Sequence, residues 1–184
     1  MQKFVITGAP GTGKTTIINA LKARGYNCID EISREIISNQ IANGGNALPW
    51  KDLLAFSERV FTLRESQLLN SDDNLVFFDR GTVDVHAYMK SDHMEIPDLF
   101  SSSLEENRYN TKVFYTPIWE NIYVNDTERK ESLSQAKEIE KSLLSSYNFF
   151  KYQLVKIPKK SIEEENKRIE ALKTQGGWGS SGTA

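Results

Sequence analysis

The stretch Gly8-Ala9-Pro10-Gly11-Thr12-Gly13-Lys14-Thr15-Thr16 stands directly behind the apolar run Phe4-Val5-Ile6. It restricts what this chain can fold into more than any other feature. Four residues separate Gly8 from Gly13, and Lys-Thr follows. That is the spacing of a phosphate-binding loop: a strand feeds a glycine turn, backbone N–H groups close round phosphate oxygens, and a helix opens at the far end. Glycine suits the turn because it adopts backbone angles that side chains disfavour. The helix start adds unpaired N–H groups and a positive dipole end. Lys14 is expected to supply charge to the β- and γ-phosphates of ATP, and Thr15 a hydroxyl to Mg²⁺.

The rest of the chain continues the alternation that this opening demands. Strands are expected at Lys3–Thr7, Tyr26–Ile29, 74–79, 112–116 and 153–157. Helices are expected at Lys14–Ala23, Glu31–Ala42, Lys51–Leu69 and Arg129–Tyr147, with a further one starting near Thr82 and a charged one near Ser161. In the Lys51–Leu69 segment, Leu53, Phe56, Val60 and Leu63 recur at helical steps. Strand and helix in alternation predict an α/β fold, a five-stranded parallel sheet with helices on both faces. One domain is expected over 1–173. The Gly/Ser-rich end, 174–184 with Trp178, reads as a disordered tail or cloning remnant.

Composition narrows the classes of function. Lys and Arg number 23 against 25 Asp and Glu, so no basic excess favours nucleic acid. The single cysteine, Cys28, allows no internal disulfide and fits a reducing compartment. No apolar run reaches membrane length, and a strand at the amino terminus does not resemble a secretion signal. A cytoplasmic protein without nucleic-acid or membrane partners is the expectation.

Three further segments carry candidate chemistry. In Val76-Phe77-Phe78-Asp79-Arg80-Gly81, an acid ends a buried strand, on the edge where open α/β sheets bind ligands. Asp79 is expected to serve Mg²⁺ and Arg80 a phosphoryl group; the plainer alternative makes Asp79 a helix cap. Asp30 and Glu31 leave the second strand at the same edge, where a carboxylate can take the proton of an acceptor hydroxyl. Glu31 is the preferred base, with Arg34 one turn along as its partner. In the segment 125–132, Arg129 and then Lys130 are candidates for closing over the phosphates. Trp50, Phe56, Tyr88 and Trp119 are candidate aromatic walls for an acceptor. His86 and His93 have no cysteine nearby and do not suggest zinc.

Together, GAPGTGKTT, EISREI, FFDRGTVDVHAY and PIWENIYVNDTERK resemble the small bacterial AAA-type ATP-binding domain. That domain is akin to the kinase domain of nicotinamide riboside kinases and, more distantly, to deoxynucleoside kinases. The resemblance spans about 1–173. It implies Glu31 as base, Asp79 with Arg80 for Mg²⁺ and phosphate, and Arg129 in a lid. One departure matters: a ring-forming remodelling motor of the wider superfamily would carry Asp-Glu at the end of the third strand, and here Arg80 follows Asp79. The leading expectation is a phosphotransferase acting on a small-molecule hydroxyl, with a nucleoside or riboside implied by the resemblance. The alternative is an ATPase or nucleotide-dependent switch working with a protein partner.

Overall fold

A computed structural model describes residues 1–118 and 132–158. In chain order the elements are β1 (Gln2–Thr7), α1 (Lys14–Lys22), β2 (Asn27–Ile29), α2 (Ser33–Ala42), α3 (Leu53–Leu69), β3 (Leu75–Asp79), α4 (Thr82–Ser91), α5 (Asp98–Glu106), β4 (Lys112–Tyr115), α6 (Leu133–Phe149) and β5 (Gln153–Lys156). The five strands form one sheet in the order β2-β3-β1-β4-β5. Every pairing is parallel, as expected from the alternation. All the carboxyl ends therefore point the same way.

β1 takes the centre because it is apolar on both faces, as a strand covered from both sides must be. Phe4 and Ile6 face one core, with Ile17, Ile18 and Leu21 of α1, Phe77 of β3 and Phe114 of β4. Rings pack at the heart of it, with centroids of Phe4 and Phe77 5.8 Å apart and of Phe4 and Phe114 5.7 Å apart. Val5 turns to the larger core, made with Phe78 of β3, Val60 and Phe61 of α3, Val83 of α4, Leu104 of α5 and Leu143 of α6.

Local chemistry sets the ends of the elements. Asp52 accepts Ala55 N–H at 2.9 Å and starts α3, two residues after the expected boundary. Ser132 and Gln135 cap α6 reciprocally, at 3.2 and 2.8 Å. Two details of the periodicity reading change. Leu63 is 47% exposed, and the buried stripe of α3 is Ser57, Val60, Phe61, Arg64 and Leu68. Helix α5 was not anticipated: its segment is rich in serine and acid, with only Phe100 and Leu104 buried. The candidates Trp119, Arg129 and Lys130, the helix expected from Ser161 and the tail with Trp178 lie outside the described residues. Among those described, no helix is long and apolar enough to cross a membrane.

Candidate active site

The loop after β1 is wound as the glycines require. Gly8 has φ of 150°, Gly11 of 77° and Gly13 of 89°. At Gly8 a Cβ would lie 2.3 Å from Thr116 Oγ1 and 2.6 Å from the Thr116 carbonyl, so any side chain would displace the end of β4. Ala9 and Thr12 are buried, while Gly11, Gly13, Thr15 and Thr16 are exposed along the loop and Pro10 is half-buried. Thr12 Oγ1 donates to the Ala9 carbonyl at 2.9 Å and shares a 2.6 Å hydrogen bond with Thr116 Oγ1. Gly13, the first residue before α1, has no side-chain cap. The leading N–H groups of that helix are thus open to an anion, which is what such a loop offers a phosphate.

Lys14 is buried and folds back over the loop, its Nζ donating to the Ala9 carbonyl at 2.7 Å. Burial first, and the like charge of Arg80 second, pull its ammonium down from 10.5 to about 7. A triphosphate would reverse that pull by placing oxygens where the lysine now finds only a carbonyl.

β3 lies against β1 with Ile6 opposite Asp79, so the strand-end acid sits beside the loop. Asp79 is buried, and its Oδ1 accepts no hydrogen bond from the described residues. Burial pushes its carboxyl above the usual range, against the opposing pull of Lys14 and Arg80. A buried carboxylate oxygen without a donor suits a cation, which needs an acceptor and no proton. The Thr15 hydroxyl, exposed on the loop, has matching donor chemistry. On the chemistry of these donors, Mg²⁺ fits.

Arg80 holds the left-handed φ of 73° that turns β3 into α4. Its guanidinium donates to the Gly8 carbonyl at 3.1 Å, approaches Asp84 Oδ1 at 3.4 Å and lies 5.2 Å from the centre of the Tyr88 ring. The turn is thereby tied to the phosphate loop. Asp79 does not cap α4; Gly81 is the N-cap residue, and Asp84, at the third helical position, closes back on it. The Asp84 Oδ2 accepts Gly81 N–H at 2.8 Å while its own N–H reaches the Gly81 carbonyl.

Glu31 leaves β2 at the same edge. Its Oε1 accepts Ser33 N–H and an Arg64 NH2 proton, both at 2.8 Å. Burial alone would raise its carboxyl; Arg64, with help from Ser33 and Arg80, outweighs it and holds the group below the usual range. The guanidinium found on Oε1 comes from α3, and Arg34, one turn along from Glu31, is an exposed residue of α2. Asp30 pairs with Lys22 on the surface, its side chain 65% exposed, and sits badly for the part of a base.

Among the aromatic candidates, Tyr88 lies under Arg80, Phe56 packs on the larger core, and Trp50 is 56% exposed. His86 is buried against Ser146, with 3.0 Å between Nδ1 and Oγ, and His93 is exposed. No cluster of three metal-ligating side chains of His, Cys, Asp or Glu occurs among the described residues. Three residues here escaped the sequence reading. Arg64 occupies a core position between Val60 and Leu68, four residues from each, and a charge on a buried stripe was the available signal. Asp84 stands three residues after Gly81, the spacing of a cap. Thr116 follows β4 at the ligand edge.

A family model described as an AAA domain matches residues 3–165. No curated protein matches. Solved structures with the same fold include deoxyadenosine kinase from M. mycoides, at 16% identity and TM-score 0.66, covering 95% of this chain and 99% of that one. A NadR protein in complex with NR is similar at 17% identity and TM-score 0.69; all of this chain matches 53% of that one. Shikimate kinase from Acinetobacter baumannii in complex with shikimate follows at 14% identity and TM-score 0.58, covering 97% of this chain and 96% of that one.

Proposed function

We propose that this chain, which belongs to the AAA domain family, is an ATP- and Mg²⁺-dependent phosphotransferase that moves the γ-phosphate to a hydroxyl of a small molecule, of the nucleoside or riboside class. The observation that carries the reading is one sheet edge that gathers an open helix start, a buried lysine, an unpartnered aspartate oxygen and an ionised glutamate. A remodelling motor of the wider superfamily would carry a glutamate after Asp79 to polarise water, and Arg80 stands there instead. The acceptor class rests on likeness to the deoxyadenosine kinase and to the NadR protein holding NR.

The steps follow from the side chains. The triphosphate lies along Gly8–Thr16, and Lys14 leaves the Ala9 carbonyl for the phosphate oxygens. Arg80, held by Asp84 and the Gly8 carbonyl, faces the charge that gathers on the moving group. Glu31 orients the acceptor hydroxyl and receives its proton as that oxygen bonds to the γ-phosphorus. The bond to the β,γ-bridging oxygen breaks, and ADP leaves with the electron pair. Mg²⁺, when bound, neutralises β- and γ-phosphate charge; Asp79 and Thr15 would hold it. Arg129 is the residue proposed to close over the nucleotide.

The test is to incubate the protein with ATP and Mg²⁺, alone and with deoxyadenosine or nicotinamide riboside, following ADP and phosphorylated acceptor together. Equal amounts of the two, lost in Lys14→Ala and reduced about 100-fold or more in Glu31→Gln, are expected. ADP release at one rate whatever the acceptor would point to water and a protein partner instead.

A further inference from the structure

We propose that Arg64 is a positioning residue for the phosphoryl-transfer base: its guanidinium, bridging Glu31 Oε1 and the Gly81 carbonyl, fixes the carboxylate with Oε2 directed to the acceptor hydroxyl. The inference rests on Glu31 acting as base, and goes beyond it in assigning a role to a residue that touches neither nucleotide nor acceptor.

The placement of Arg64 is unusual. It is 3% exposed, in the middle of the stripe by which α3 packs on the larger core. An arginine there must be desolvated, which is tolerated only if its charge is matched. The match is divided between two other elements. NH2 meets Glu31 Oε1 at 2.8 Å, just after β2, and NH1 lies 3.5 Å from the carbonyl of Gly81, which follows Arg80. One planar, rigid group therefore sets the segment carrying the proposed base against the turn carrying the residues for phosphate and Mg²⁺. A lysine would bring the charge without the two-pronged geometry.

Two further features agree. Ser33 N–H also falls on Oε1, so both bonds anchor the same carboxylate oxygen. Arg64 Nε is one of two buried polar side-chain atoms without a partner among the described residues, and the other is Asp79 Oδ1. Stability alone would be better served by an apolar residue at this position. Among the described residues, the charges facing Glu31 include Arg64 from α3, Arg80 and Asp79 from the end of β3, and Lys14 from α1. Arg64 is the largest influence holding it ionised.

The experiment is a double-mutant cycle, with deoxyadenosine and nicotinamide riboside as acceptors, together with a carbon-13 carboxyl NMR titration that needs no turnover. Arg64→Met should lower kcat about 100-fold, leave the KM for ATP nearly unchanged, and move the Glu31 midpoint upward with the acid limb of the pH profile. In a Glu31→Gln background it should have almost no further effect. Arg64→Lys, which keeps the charge if the methionine variant fails to fold, should hold the midpoint low yet still lose most of kcat. If Arg64→Lys or a folded Arg64→Met turns over at the parent rate while Glu31→Gln is slow, the positioning role falls and the base stands. If Glu31→Gln itself works at the parent rate, both fall. An additive loss in the double variant would also overturn the proposal, because Arg64 would then act other than through Glu31.

Discussion

Asp79 and Asp84 stand five positions apart, both almost fully buried, yet their surroundings are opposite. Asp84 is saturated. Its Oδ1 accepts Thr7 Oγ1 at 2.6 Å and approaches Arg80 at 3.4 Å, and its Oδ2 accepts Gly81 N–H at 2.8 Å and Tyr147 O–H at 2.6 Å. It fastens β1, the turn after β3 and α6 to one another. Asp79 has an oxygen with no donor among the described residues. A buried carboxylate that is fully bonded holds a fold together; one left short of partners opposes the fold and serves something that arrives later.

The comparison predicts variants of opposite sign. Asp84→Ala strands two hydroxyls, a backbone N–H and a guanidinium, and should cost about 3–5 kcal/mol of stability in urea unfolding. A cost no greater than that of Asp79→Ala would break the contrast. Tyr147→Phe removes a single donor to the same carboxylate and should cost about 1–3 kcal/mol. Asp79→Asn should stabilise the unliganded protein by about 1 kcal/mol while abolishing Mg²⁺-dependent transfer, read from melting temperature and ADP formation. The sign follows from the raised carboxyl: its neutral form is the one the fold prefers, so stability from this group is lost as pH rises through its folded value. The asparagine variant should lack that dependence.

The smallest effect sharpens the contrast from the other side of the site. Lys14, held near 7 by burial, should regain its charge against a triphosphate. Its folded value lies below the ordinary one, so nucleotide binding should take up a proton at pH 8 and little at pH 6. Affinity should weaken as pH rises from 7. Calorimetry in buffers of different ionisation enthalpy measures the uptake directly.

What was legible in the sequence was what local pattern dictates. β1, β3 and the loop between β1 and α1 follow from buried apolar runs and fixed glycine spacing, and the acid ending β3 from its place on the strand. Asp84 and Arg64 were less legible because their partners are remote: Asp84 meets Thr7 and Tyr147, and Arg64 meets Glu31, across 33 to 77 residues of chain. Local spacing pointed to Arg34 beside Glu31 and gave no sign of Arg64, which reaches Glu31 only after α3 has docked. Helix α5 was missed for a related reason, having only two buried side chains to mark it.

The central position of β1 has a consequence for how the protein is made. Phe4 pairs with Phe77, and Val5 with Val113, so the strand that carries the phosphate loop has no neighbour nearby in the chain. The ribosome delivers this loop well before its walls, Arg80 and Thr116, which lie far along the chain from it. Pairings of such long sequence separation form slowly. On the proposed reading, nucleotide binding waits until β1 has found both neighbours, and ATP would stabilise only molecules that have completed their sheet.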